Sequence, residues 1–145
     1  MYYHLFIPLV DSGFVAKARL FGYREDRIYI RGSRHTPPPK DAVVDCMEAL
    51  FECIDQESHP AAGAILGHYL FVYIHPYMDG NGRIARFLMN AIFAAGGYHW
   101  TVVQLENRKQ YMHALSIADE HKDFQPFTDL MLSELKMSES YLKSN

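Results

Sequence analysis

The chain has 145 residues, is 49% hydrophobic and carries a formal net charge of −3. These values suit one globular domain with a sizeable core, and they argue against general nucleic-acid binding, which calls for broad positive charge. No apolar run reaches the ~18 residues of a membrane span without interruption, and the N-terminal MYYHLFIPLVDSG has no basic leader region, so a soluble, cytoplasmic protein is expected.

Residues 1–20 carry apolar side chains without clean periodicity, and Asp11, Ser12 and Gly13 suggest a turn or the start of a short helix. Residues 23–32, YREDRIYIRG, alternate, with Ile28 and Ile30 on one side and Tyr29 and Arg31 on the other. That is the pattern of a short strand, and Gly32 with Ser33 offers the turn of a hairpin. Residues 36–39 form a polyproline segment leading to Asp41, a candidate N-cap.

From 42 to 54 the apolar residues Val43, Val44, Met47, Leu50, Phe51 and Ile54 fall at spacings of three and four, an amphipathic helix. Cys46 and Cys53, seven apart, fit neither a zinc pair nor a redox CxxC and are expected as reduced core residues. After a polar loop at 55–60, residues 61–74 are an almost unbroken apolar run of helix length. Pro76 biases His75 away from helical angles, so that helix should end there. His68 lies seven residues before His75, about 10 Å away by helical rise, too far to share one metal ion in a continuous helix. It is expected as a structural histidine.

The stretch from His75 to Arg86, HPYMDGNGRIAR, carries most of the chemistry. DGNG alone is also a hairpin signal, but here helix-period apolar runs flank it. Gly80 and Gly82 allow close backbone approach, Asn81 is a good N-cap for a second helix from about 82 to 95, and Gly96 with Gly97 stops it. A helix start after a glycine-rich turn presents free N–H groups and partial positive charge, which suits an anion. Arg83 and Arg86 lie on one face of its first turn. Cations there oppose the helix dipole, at a cost of ~0.3–1 kcal/mol each, which suggests a bound anion that reverses the sign. Asp79 would repel that anion unless a divalent cation lay between them, as Mg²⁺ does among carboxylates and phosphates. His75, with an unperturbed pKa near ~6.5, is the natural general base beside such a polyphosphate.

Further on, 98–105 reads as an extended connector, 107–119 as a helix with Tyr111, Leu115 and Ala118 in one stripe, and 128–137 as a last helix opened by Pro126 and Phe127. The tail SESYLKSN is expected to fray.

The segment 75–86 resembles the signature of the Fic family, HPFx(D/E)GNGRxxR, at every specified position except Tyr77, which keeps the aromatic ring. The resemblance extends upstream through IRGSRHTPPP and downstream through RKQYMHALSIAD, covering about residues 20–132. It implies an all-α bundle with a short β-hairpin flap, a single domain over 1–145 with its signature loop and helix at 75–96. It also implies transfer of AMP from Mg·ATP onto a Ser, Thr or Tyr hydroxyl of a target protein.

On that resemblance His75 would deprotonate the hydroxyl, Asp79 would hold Mg²⁺, and Gly80, Asn81 and Gly82 would surround the α- and β-phosphates. Arg83 would bind the β-phosphate or leaving group, and Arg86 the γ-phosphate. Gly32 and Ser33 would border the nucleotide, and Tyr111, Met112 and Asp119 would match the adenine pocket, with Tyr111 and Met112 equally readable as core. Where some members carry Asn, this chain has Asp119, which offers no amide. The flap from Arg27 to Gly32 would hold the target by backbone pairing.

Many members carry an inhibitory (S/T)xxxE(G/N) helix whose glutamate pairs with the residue matching Arg86. Here only Ser116 is followed four residues later by Glu, at Glu120, and His121 follows, so a coincidental match is expected. A separate partner would supply the glutamate, or an upstream lobe has been lost. The alternatives are transfer of another phosphate-containing group, removal of AMP, and a nucleotide-binding module without turnover. Neither nucleic acid nor membrane is expected as a partner.

Overall fold

The computed structural model describes residues 22–30 and 32–143, with Ile7 alone upstream. The short helix expected within 1–20 lies outside that range. Among the described residues every regular element is helical: α1 Val43–Gln56, α2 Pro60–Ile74, α3 Asn81–Ala95, α4 Arg108–His121 and α5 Gln125–Lys143. Single 3₁₀ turns, Lys40–Ala42 and Leu105–Asn107, lead into α1 and α4.

Helix α2 is apolar all round because it is the central helix. Pro60 presets its first turn. One face of α2 (Ala61, Ala64, Ile65, Tyr69) meets Met89 and Phe93 of α3, Ala114, Leu115 and Ala118 of α4, and Phe127, Leu130, Met131 and Leu135 of α5. The other side, through Phe71 and Ile74, joins Val43, Met47 and Leu50 of α1 with Ile84 and Ala85 of α3. Gly67 permits this crowding, since a Cβ there would lie 3.0 Å from Ile54 Cδ1 and 3.3 Å from Ile92 Cδ1. Truncating a fully buried residue such as Met89 to Ala would cost roughly 2–5 kcal/mol.

The second half is tied by polar groups. Asn90 of α3 is buried; its Nδ2 donates to the Arg86 carbonyl (3.0 Å) and the Thr101 carbonyl (2.9 Å), and its Oδ1 accepts from the Thr101 N–H (2.6 Å). The extended connector expected at 98–105 is thus held against α3. Asp123 Oδ1 accepts the Gln125 N–H at 3.0 Å and caps the start of α5.

Several local expectations change. Residues 22–30 keep the alternation, with Ile28 and Ile30 half-buried and Tyr29 75% exposed, yet no strand forms among the described residues. A strand needs a partner ladder, and this segment makes a turn instead, Ser33 N–H to the Ile30 carbonyl at 3.1 Å, and is tied to the end of α2 through Arg24. Asp41 lies inside the 3₁₀ turn and does not cap α1. On α1 the buried stripe is Val43, Met47 and Leu50, while Val44 and Phe51 are half exposed. Cys46 is half-buried and Cys53 exposed, so only Cys46 borders the core; both are free thiols. Gly80, not Asn81, is the N-cap residue of α3. The tail does not fray at 138, because α5 runs on to Lys143.

Candidate active site

His75 ends α2 in the left-handed region, at φ 52° and ψ 59°. For a residue with a side chain this conformation costs on the order of 1–3 kcal/mol and persists only where its surroundings enforce it. Arg24 is the enforcer. Its N–H donates to the Pro76 carbonyl (2.8 Å), its Nε to the His75 carbonyl (2.9 Å), and its Nη2 to the carbonyls of Ile74 (3.4 Å) and Pro38. The guanidinium therefore satisfies the carbonyls that a helix C-terminus leaves open.

The His75 ring is fixed as well. Its Nδ1 donates to the Val72 carbonyl at 3.1 Å, which leaves Nε2 as the basic nitrogen of the neutral ring. Burial pushes the imidazole below its ordinary value, and Arg24 and His35 push the same way, against the Val72 carbonyl and Asp79. The ring is neutral at neutral pH and able to accept a proton.

The loop after His75 is closed by Asn81. The Tyr77 N–H donates to Asn81 Oδ1 (2.9 Å) and Asn81 Nδ2 donates to the Tyr77 carbonyl (2.7 Å). This buried side chain shapes the turn, and Gly80 takes φ 79°, a conformation that favours glycine. Asn81 is therefore available to a ligand through its backbone only.

A cavity of about 180 Å³ opens beside this turn. His75, Gly82 and Arg86 line one side, Gly32 and Ser33 another, and Tyr111, Met112 and Asp119 of α4 a third. These are eight of the residues picked from the sequence. Gly80, Asn81, Asp79 and Arg83 do not line it. Asp79 and Arg83 face each other, Arg83 Nη2 to Asp79 Oδ2 at 3.4 Å, on the exposed rim. Arg86 divides the space, since it also borders a groove with Arg83, Phe87 and Trp100.

Sequence reasoning missed part of the wall. Tyr69, Val72 and Tyr73 of α2 line the cavity, and Tyr69 donates its hydroxyl to Asp119 Oδ1 at 2.9 Å. Two tyrosines four apart in an otherwise apolar helix were the available signal. His35 also lines it, its ring tilted against that of Tyr73 with centroids 4.2 Å apart and its Nε2 donating to the Tyr73 carbonyl (2.8 Å). His68 is fully buried, with Nε2 2.9 Å from the Tyr111 hydroxyl, but its Nδ1 has no hydrogen-bond partner among the described residues, so it is not the fully satisfied histidine expected; burial and the Arg86 charge push it down to about 4. Glu120 accepts the Ser116 hydroxyl (2.9 Å) and faces Arg34 (3.8 Å), away from Arg86.

No set of three or more His, Cys, Asp or Glu side chains converges as a metal site among the described residues. Asp79 alone fits a cation that takes its remaining ligands from phosphate and water, which is how Mg²⁺ commonly binds.

A model of the Fic/DOC family matches residues 11–93. The chain belongs to the Fic/DOC family. It is 36% identical over 109 residues to the protein adenylyltransferase Fic of Drosophila mojavensis, a match covering 72% of this chain and 21% of that protein. The chain thus spans about a fifth of the length of the curated Fic relatives it matches. Among solved structures it resembles Fic-1 from C. elegans, with a TM-score of 0.73 and 27% identity over 84% of this chain and 36% of that one. It also resembles a Fic family protein from Desulfovibrio desulfuricans, with a TM-score of 0.72 and 29% identity over 85% of this chain and 41% of that one. Among the described residues no helix is long and apolar enough to cross a membrane.

Proposed function

We propose that this Fic domain transfers AMP from ATP to a Ser, Thr or Tyr hydroxyl of a protein in the cytoplasm. The observation that carries the reading is the neutral, orientated His75 sharing one cavity wall with Gly82 and Arg86, at the start of α3, opposite the aromatic wall of α2 and α4.

The target hydroxyl oxygen attacks the α-phosphorus, and its proton passes to Nε2 of His75. The new O–Pα bond forms as the Pα–O–Pβ bond breaks, and that electron pair leaves on pyrophosphate. Backbone N–H groups at Gly80, Asn81 and Gly82 receive phosphate oxygens at the helix start, and Arg83 and Arg86 neutralise the β- and γ-phosphates. Asp79 would hold Mg²⁺, which when bound neutralises charge on the phosphates. Tyr111, Met112 and Asp119 receive the base, with Tyr69 orienting the Asp119 carboxylate, and Gly32 and Ser33 close over the sugar side.

The segment from Arg27 to Gly32 is the flap that receives the target. Its exposed Tyr29 and its position at the cavity mouth support a hairpin that pairs once an extended peptide arrives. A glutamate able to pair with Arg86 belongs to a separate partner or to a further part of the protein, since Glu120 turns to Ser116 and Arg34.

Incubation with α-labelled ATP, Mg²⁺ and a cell lysate should label a protein band, and γ-labelled ATP should not. His75→Ala should lose labelling by roughly 10²-fold or more while keeping ATP affinity within a few fold, because a general base acts in the transition state. Labelling at the native rate by His75→Ala would refute the assignment.

A further inference from the structure

Among the described residues two buried side-chain atoms have no hydrogen-bond partner, His68 Nδ1 and Glu134 Oε2. Both belong to side chains that grip α4. Glu134 of α5, 1% exposed, accepts the Asn107 Nδ2 at 2.6 Å through Oε1, and His68 of α2 meets the Tyr111 hydroxyl through Nε2 at 2.9 Å. Asn107 is the N-cap residue of α4 and Tyr111 follows four positions on, so the two grips fall one turn apart on one face of the helix. Tyr111 lines the main cavity, and Glu134 does not.

Each grip costs stability. A buried polar atom without a partner loses free energy that an apolar side chain of the same size would keep. Asn is also a preferred N-cap type, yet Asn107 makes no side-chain cap on α4, because its amide turns to Glu134. The positive end of the helix favours a carboxylate there and offsets part of the loss. Departures from local packing and capping rules gather where a structure is held for function, and these all serve the same helix face.

We infer that Glu134 is a positioning residue for the nucleotide: by holding Asn107 it fixes the rotation of α4, and with His68 on Tyr111 it keeps the α4 wall of the cavity in its binding shape. The inference rests on that cavity being the nucleotide site, as proposed above. A helix held at two points one turn apart cannot roll. One held at Tyr111 alone can turn about that contact and carry Met112 and Asp119 with it. With both grips in place the wall is preformed, and a ligand does not have to order it on binding.

Glu134→Leu keeps most of the volume, removes the unpaired oxygen and releases Asn107. Its urea midpoint should equal or exceed that of the wild type, while calorimetry should show ATP affinity lower by about fivefold. Glu134→Gln keeps an acceptor for Asn107 and should bind ATP within about twofold of the wild type. Asn107→Ala, which breaks the same bond from its half-buried side and leaves the core side chain in place, should repeat the loss of affinity. Amide hydrogen exchange reads the grip without any ligand: residues 112–116 should exchange about tenfold faster in Glu134→Leu than in the wild type or Glu134→Gln. ATP affinity unchanged by Glu134→Leu, or a fall in midpoint and affinity shared by Glu134→Leu and Glu134→Gln, would overturn the proposal. In a chain that binds no ATP, exchange decides. Faster exchange confined to Glu134→Leu would leave the grip standing and refute the nucleotide reading instead, and unchanged exchange would refute the grip.

Discussion

The side chain of Arg24 donates to the carbonyl oxygen of His75 at 2.9 Å, across 51 positions of sequence, and so holds the one helix exit on which the chemistry depends. With its bonds to Ile74 and Pro38, and with the Arg24 backbone N–H on the Pro76 carbonyl, it replaces the solvent that a helix end would otherwise need. Arg24→Met keeps much of the stem and removes every side-chain donor. Stability should fall by about 2–3 kcal/mol, the cost of leaving buried carbonyls without a charged donor, seen as a lower urea midpoint. Label transfer should fall further than the unfolded fraction accounts for. An unchanged midpoint would show that water replaces the guanidinium at no cost.

Arg86 borders both the main cavity and the groove beside Trp100. Arg86→Ala should weaken ATP binding by tenfold or more in calorimetry, the loss expected of a charge-assisted phosphate contact. Chelation of Mg²⁺ should weaken it as well, because Asp79 then faces the phosphates without a counter-ion. Indifference to both changes would contradict the proposed charge arrangement.

The flap separates from the nucleotide wall at one residue. Ile30 lines the cavity, whereas Tyr29 is 75% exposed and does not. Tyr29→Pro removes a backbone donor and bends the segment, so target modification should drop at least tenfold while ATP affinity stays within about twofold. Equal loss of ATP binding would make the segment part of the nucleotide site rather than the target site.

His68 sets an acid limit. The unfolded chain takes up a proton near its ordinary ~6.5, while the folded chain refuses one until about 4, so stability present at neutral pH is lost as pH falls through that window. The slope should approach ~1.4 kcal/mol per pH unit from this residue. His75 is shifted the same way, so His68→Gln should flatten the pH dependence without abolishing it. Urea midpoints from pH ~7 to ~4.5 check this, and identical slopes in both proteins would exclude His68 as the source.

What could be read from the residues, and what could not, follows their range of action. Helix α2 was legible as a helix because its apolar run has helix length, and the exit at His75 because proline acts on its immediate neighbour; its central place came only with the packing of both core clusters against it. The contact of Arg24 with His75 was not, since nothing local marks one arginine among several as the one that reaches a distant carbonyl. Asn81 was read as an N-cap because its type favours that place, but tertiary context turned its amide back to Tyr77. Alternation at Ile28, Tyr29 and Ile30 correctly gave which side chains turn inward; it could not supply a pairing partner. Tyr69 and Tyr73 were hidden by the apolar run around them, although their hydroxyl ends made them unlike its other members.

Asn90 sets a register. Its carboxamide takes both backbone groups of Thr101 and the carbonyl of Arg86, and Thr101 is buried there between the exposed Trp100 and Val102, so the connector is pinned against α3 at that residue. Slipping by one residue would offer Trp100 or Val102 instead and carry everything downstream by about 3 Å, the advance of an extended chain per residue. A deletion between Gly97 and Thr101 would be absorbed in the turn, leaving Gln104 and Arg108 where they are. A deletion of the same size between Thr101 and Leu105 would draw the start of α4 towards the pinned residue, so two equally short losses in one connector should differ sharply in how far they displace the Tyr111 side of the cavity.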